Sequence, residues 1–256
     1  MSYFDKMYDF VLALRPLYSM FKSQCCVDVE KISILVFFSK IINMIVMFIP
    51  LKILFLLSGS KNITFLQNIE DYFGRQYYIG GMVIIIVILY ILNVITQIKK
   101  SKLVKSQSEN IEKKMYLFRG VKKSHKVVTK TYGSFCQLLG DIFLFLSVGF
   151  ALFFIDVYFA IFYFGVFVIY LFVMERWAFP STNGTGEVPR AVDRKLFIRV
   201  SGSLGFLILF LGLVILVLNT DIILIVAVLI LILVKLGNGA LMSFFKCQIK
   251  IRDNYL

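Results

Sequence analysis

The chain has 256 residues, a net charge of +13 and a hydrophobic content of 59%. This apolar content, with a mean hydropathy of +0.85, exceeds what a soluble domain of this length can bury, so a soluble enzyme is excluded. Most basic residues lie beside apolar runs, where they orient membrane helices. No basic module stands apart from these runs, so nucleic-acid binding is not predicted.

The N-terminal residues 1–31 spread Tyr, Phe, Met and Leu among charged residues, which predicts a cytoplasmic helix at the membrane interface. Two apolar runs follow, at 32–58 and 77–98. Each is long enough for the ~20 residues that cross a bilayer, so they are predicted spans one and two. Span two is expected to continue past Ile98 as a helix, because the following residues favour helix.

Two longer apolar stretches must each fold back. Residues 135–174 as one helix would measure about 60 Å, twice the hydrocarbon thickness. Asp156 is the natural turn, since a charge is costly in hydrocarbon and free at the surface, and spans three and four lie on either side of it. In the same way Asn219-Thr220-Asp221 divides residues 200–245 into spans five and six.

The distribution of Lys and Arg predicts the orientation of the spans. Twenty-three of these residues lie in the segments that should share one side, namely residues 1–31, loops 99–131 and 175–199, and the tail 246–256. Only two lie in loop 59–76, on the other side. The prediction is therefore an all-α polytopic membrane protein, with a membrane domain at 32–245 and both termini in the cytoplasm.

Four charged residues fall within the spans, namely Lys40, Lys52, Asp141 and Lys235. At a rise of ~1.5 Å per residue, Lys40 and Asp141 lie about 12 Å and about 9 Å from the cytoplasmic ends of their spans, and Lys235 lies in the same half. These three are predicted to meet, either as a structural ion pair with a snorkelling lysine or as a basic site for an anionic lipid or substrate. Lys52, near the outer end of span one, is expected to snorkel.

Loop 99–131 carries an apolar cluster in a segment that should be solvated. The candidate partner-contact residues are Met115, Tyr116, Leu117, Phe118 and Arg119. A short amphipathic helix is predicted near 112–119. The cluster either docks a cytoplasmic protein or packs against neighbouring helices.

Catalytic and metal sites are not predicted anywhere in the chain. The sequence has no paired carboxylates on one cytoplasmic helix, no cluster with metal-ligand spacing and one histidine, His125, among lysines. Gly184 and Gly186 in loop 175–199 do not form a phosphate-binding loop, because that loop requires GxxxxGK[ST] after a strand. We therefore expect neither an enzyme nor a bound cofactor or metal.

The order of the spans resembles that of a known family. An N-terminal elbow precedes a proline-containing first span, FIPLKILFLLSG, a long cytoplasmic excursion separates spans two and three, and two tight outer hairpins follow. This pattern resembles the six-helix transmembrane domain of ABC exporters, in divergent form and without the nucleotide-binding domain. The resemblance implies a transport subunit in a bacterial inner membrane, which works with a separate ATPase and forms a homodimer or oligomer.

A different function remains open. The nucleotide-binding domain does not follow span six, and the connection between spans four and five is shorter and richer in turn residues than the family's paired long helices. These features are typical of a non-transport scaffold, sensor or effector. Such a subunit would anchor a cytoplasmic partner or permeabilise the membrane.

Overall fold

The computed structural model describes residues 5–24, 28–57, 72, 74–112, 117–118, 121–122, 125–178, 194–220, 222 and 224–255. Its seven α-helices in these ranges are α1 Asp5–Ser19, α2 Val29–Leu57, α3 Arg75–Glu112, α4 His125–Ile155, α5 Val157–Val173, α6 Arg194–Asn219 and α7 Leu224–Tyr255. Short π-helical segments extend α1 and α5, over Met20–Gln24 and Met174–Ala178. Strands β1 Leu117–Phe118 and β2 Val121–Lys122 pair antiparallel.

The helices α2 to α7 correspond to predicted spans one to six. All six are long and apolar enough to cross a membrane, which confirms the prediction of an all-α polytopic membrane protein. The helices run beyond their apolar cores. The 38 residues of α3 measure about 57 Å, well over the hydrocarbon thickness, and continue past Ile98 as predicted.

Both hairpins form where the sequence predicted them. Asp156 interrupts the helix with an extended backbone (φ −154°), and its carboxylate accepts a hydrogen bond from the Phe159 amide at 2.6 Å. This is an N-cap, which satisfies one of the free amides at the start of α5. The second hairpin separates α6, which ends at Asn219, from α7, which begins at Leu224.

The amphipathic helix predicted near 112–119 is wrong at Leu117–Phe118, while residues 113–116 and 119 lie outside the described residues. Helix α3 ends at Glu112, and the next described residues, Leu117–Phe118, form a strand. Phe118 pairs with Val121, which leaves two residues between the strands, the second of them a glycine. Antiparallel pairing of Leu117–Phe118 with Val121–Lys122 therefore satisfies the backbone groups that a helix would otherwise pair at these residues.

The pair α4 and α7 forms the centre of the bundle and makes its most extensive interhelical contact. Helices α2, α5 and α6 pack around this pair, and α3 packs mainly on α2 at the periphery. Half of the residues in the apolar stretch of α7 are buried, whereas only 11% of those in the apolar stretch of α3 are. The outward face of α3 is therefore available to lipid.

One end of the bundle, called the basic end below, has its own apolar cluster. The cluster joins α1, the first turns of α2 and α4, and the last turns of α7. Phe10 and Leu17 of α1 are fully buried in it, so α1 is packed onto the bundle and does not only lie on a membrane surface. The predicted tail 246–256 is helical through Tyr255, as the end of α7.

Candidate functional site, a lysine-lined cleft

An ion pair between two membrane helices forms the base of the candidate site. Lys40 of α2 donates to Asp141 Oδ1 of α4. The Asp141 side chain is completely buried, whereas that of Lys40 is 30% exposed. Lys40 therefore compensates a buried carboxylate and also borders open space.

A glycine explains how α2 comes so close to α4. A Cβ atom at Gly140 would lie 2.9 Å from the Ser33 carbonyl oxygen and 2.8 Å from Val36 Cγ1. Only glycine leaves room for this crossing, because the Ser33 carbonyl oxygen belongs to the backbone and cannot move aside as a flexible side chain can. The close approach of the two helices brings Lys40 within reach of Asp141, the neighbour of Gly140.

The third helix at this point is α7. Ser243 lies close to the Asp141 carboxylate, and its hydroxyl oxygen accepts a hydrogen bond of 2.8 Å from Gln137 Nε2 of α4. Polar side chains of α2, α4 and α7 therefore meet on one side of the carboxylate, at Lys40, Gln137 and Ser243. Such clusters hold membrane helices together, because the apolar lipid offers no competing partners.

Lys40 opens into a cleft of about 740 Å³ between α2 and α3, called the lysine cleft below. Its lining residues are Val36, Ser39, Lys40, Gln97, Lys100, Ser101, Val104 and Lys105. Three of these are lysines and none is acidic, and Asp141 behind Lys40 offsets the charge of Lys40 but not that of Lys100. The cleft is therefore electropositive, and its chemistry suits an anion.

The wall of the lysine cleft is held by contacts between its two helices. The Ser39 hydroxyl of α2 donates to Asn93 Oδ1 of α3 at 3.4 Å, and Gln97 donates to the same oxygen at 3.4 Å. Asn93 is buried, as expected of an interhelical polar contact. Lys100 lies about two turns further along α3 and has no ion-pair partner in the described part of the chain.

The packing of the bundle places Lys40 at a different depth in the apolar region from the depth predicted by the sequence. The sequence predicted this residue about 12 Å inside span one, counted from Ile32. In the structure Ile32 and Val36 are buried in the cluster of the basic end, against protein and not lipid. Lys40 lies beside Gln97 and Lys100, where the apolar stretch of α3 ends. It is thus at the edge of the apolar region.

The predicted meeting of Lys235 with Lys40 and Asp141 does not occur. Lys235 is exposed on α7 and lines no part of the lysine cleft. Lys100 lies beside Lys40 instead. The sequence did not identify Lys100 as a site residue, because it was used only as one of the basic residues of loop 99–131 that predict the orientation of the spans. The continuation of α3 past Ile98 was the one signal that could have identified it.

The snorkelling predicted for Lys52 is also wrong. Lys52 is 5% exposed and donates a hydrogen bond of 2.8 Å to the Tyr78 hydroxyl of α3. The Tyr78 ring lies beside the amine, 5.4 Å from its centroid. An aromatic residue in the first turn of α3 thus replaces the water that a snorkelling lysine would reach.

The predicted partner-contact residues lie at the junction of α3 and α4. Leu117 and Phe118 form β1, while Met115, Tyr116 and Arg119 lie outside the described residues. Helix α3 continues 14 residues past Ile98, about 21 Å, before it ends. The hairpin β1–β2 follows the end of this extension.

The other half of the bundle has a polar contact of its own. Asn238 of α7 donates to the Gly202 carbonyl of α6 at 2.9 Å, and Tyr170 of α5 donates to the Ser201 carbonyl at 2.6 Å. Tyr170, Gly202 and Asn238 are buried among apolar neighbours. They tie α5, α6 and α7 together, which is a structural role.

Comparison with family models, curated proteins and solved structures found no match for this chain. The resemblance to ABC exporters therefore rests on the order of spans and loops in the sequence. The six apolar helices themselves establish a membrane-embedded protein. Two features of the structure bear on its function, namely the lysine cleft and the extension of α3 and α4 toward the β1–β2 hairpin, over residues 99–112 and 125–134.

Proposed function

We propose that this chain is the non-enzymatic membrane subunit of a multi-component complex in a bacterial inner membrane. Its role is transport driven by a separately encoded ATPase, as the exporter-like order of spans implies. One observation carries the proposal. Helices α3 and α4 both run past their apolar segments and are joined through a hairpin that contains Leu117 and Phe118.

The extension fits a docking role because it is continuous with two spans. Residues 99–112 continue α3 without interruption, and α4 starts at His125, ten residues before the predicted apolar span. A displacement at the hairpin would be transmitted along both helices. An ATPase that moves membrane helices needs a contact of this kind, and apolar residues in the connecting segment would supply its binding energy.

Co-purification with Phe118→Asp tests the docking role. We expect the wild-type chain, after gentle solubilisation, to retain an ATPase, and Phe118→Asp to lose it, since an unpaired buried charge costs several kcal/mol. Ser106→Asp is the matched control, because it places the same carboxylate at an exposed position of the extension. Absence of any ATPase from the wild-type complex, or equal recovery with Phe118→Asp, would contradict the proposal.

The packing of the bundle interior favours a second candidate, a non-transport scaffold. Between α4, α5, α6 and α7 the rings of Phe145, Tyr163 and Phe167 pack together, with centroids 5.3 and 4.6 Å from Phe145. The enclosed cavity there has a volume of about 10 Å³, which is room for no more than about one water. One copy therefore has no passage at this point, and a conduit would need a second copy.

Reconstitution separates the two candidates. Proteoliposomes that contain the chain and its co-purified ATPase should accumulate substrate in an ATP-dependent manner if the chain transports. ATP hydrolysis without any substrate movement, in a complex that is intact, would assign the chain to the scaffold role.

A further inference from the structure

We propose that the lysine cleft binds the phosphate group of an anionic phospholipid, with Lys40 and Lys100 as the cationic groups. The inference does not depend on the proposed transport function. It follows from three properties of the cleft, which are its charge, its level along the helices and its position at the periphery of the bundle.

The cleft carries a positive charge at Lys100 in addition to the ion pair of Lys40 with Asp141. Lys40 is paired with Asp141, whereas Lys100 has no ion-pair partner in the described part of the chain. Lys100 is partly buried and lines the cleft together with Lys40, so the two amines repel each other. An anion in the cleft relieves this repulsion, and the Ser39, Gln97 and Ser101 side chains add polar groups around it.

The level of the cleft matches that of a lipid headgroup. Lys100 is two residues beyond Ile98, where the long apolar stretch of α3 ends, and Lys40 lies beside it. Lipid phosphates lie just outside the hydrocarbon region, at this boundary. Basic pockets between membrane helices at such a boundary are typical binding sites for anionic headgroups.

The position of the cleft favours a lipid over a soluble anion. It lies between α2 and α3, and α3 is the most exposed of the six long helices. On its membrane side, Leu92, Val94 and Ile95 of α3 are 40 to 44% exposed and apolar. Acyl chains can lie along this surface while the phosphate occupies the cleft, so both parts of the lipid have a matching surface.

Lipid-dependent stability of the purified protein tests the assignment. The full chain in a neutral detergent is titrated with phosphatidylglycerol or phosphatidylcholine, and the melting temperature is followed. We expect stabilisation by phosphatidylglycerol only, and an affinity about fivefold lower for Lys100→Gln, the effect of one lysine near an anionic group. Lys102→Gln removes the same charge from an exposed position of α3 outside the cleft and should bind as the wild type does.

Three further measurements decide the outcome. Lys100→Arg keeps the charge and should keep the preference, and equal melting temperatures without lipid show that the variants fold alike. If phosphatidylglycerol stabilises Lys100→Gln as strongly as the wild type, the cleft is not the binding site. If inorganic phosphate alone gives the same Lys100-dependent stabilisation, the cleft binds a soluble anion and the lipid assignment is wrong.

Discussion

A carboxylate buried between membrane helices persists only where another group compensates its charge, and Asp141 has Lys40 for this purpose. The two partners are unequal. Asp141 is completely buried, while the amine of Lys40 borders the lysine cleft. Loss of the amine would leave a negative charge with no route to water. Loss of the carboxylate would leave a cation that can turn toward the cleft.

This asymmetry predicts the order of stability in a mutant series. We expect Lys40→Met to lower the stability by about 3 kcal/mol, because it leaves the buried charge uncompensated. Asp141→Asn should cost less, and Lys40→Met combined with Asp141→Asn should be more stable than Lys40→Met alone. The melting temperature and the folded yield in detergent are the measurements.

Lys235→Met is the matched control for this series. Lys235 is exposed on α7, so its removal should rescue neither single variant. A double variant of Lys40 and Asp141 that is no more stable than Lys40→Met would show that the pair is not an energetic unit.

At the scale of the elements, the crossing of α2 over α4 decides whether this pair can form. The crossing depends on Gly140, whose absent side chain leaves room for the Ser33 carbonyl and Val36. Helix α4 has a second glycine, Gly133, two turns earlier and with nothing within 4 Å of its Cβ position. Substitution at Gly140 changes both close packing and helix propensity, whereas substitution at Gly133 changes helix propensity alone. Comparison of the two therefore separates these effects.

Alanine at these two positions should have opposite effects. Gly133→Ala should leave the melting temperature unchanged or raise it, since alanine favours helix by up to ~1 kcal/mol. Gly140→Ala should lower it, because overpacking costs about 1–3 kcal/mol and the clash includes backbone. Equal shifts for the two variants would mean that α2 and α4 do not cross as closely as described.

On the scale of the whole molecule, the bundle alternates direction through its six long helices. The start of α2, the start of α4 and the end of α7 meet in the cluster of the basic end. The opposite end holds the hairpin tips at Asp156 and Thr220. The Lys and Arg distribution predicts that the basic end faces the cytoplasm.

Labelling of single cysteines in a cysteine-free background tests this orientation. On intact cells, a membrane-impermeant maleimide should label Asp156→Cys and Thr220→Cys but not Lys126→Cys, which is exposed at the start of α4. All three should react after permeabilisation, which serves as the control for accessibility. Labelling of Lys126→Cys on intact cells would reverse the predicted orientation.

The sequence by itself determined the number of long helices, both hairpins and the continuation of α3. These features depend on local properties, namely the length of an apolar run relative to the bilayer and the cost of a charge such as Asp156 within it. Asp156, which interrupts the apolar run, also caps the next helix. The same polar side chain therefore marks the turn in the sequence and forms it in the structure.

Only the tertiary structure decided which charged residues meet. Asp141 had both Lys40 and Lys235 as candidate partners, and depth along a helix does not distinguish them. The choice depends on the rotation of each helix about its axis and on its sliding past its neighbours. Close contacts between helices, such as that at Gly140, fix this rotation and sliding. The same interhelical packing places Lys100 in the cleft and buries Lys52 against Tyr78. Such contacts join residues far apart in the chain, so no local pattern in the sequence specifies them.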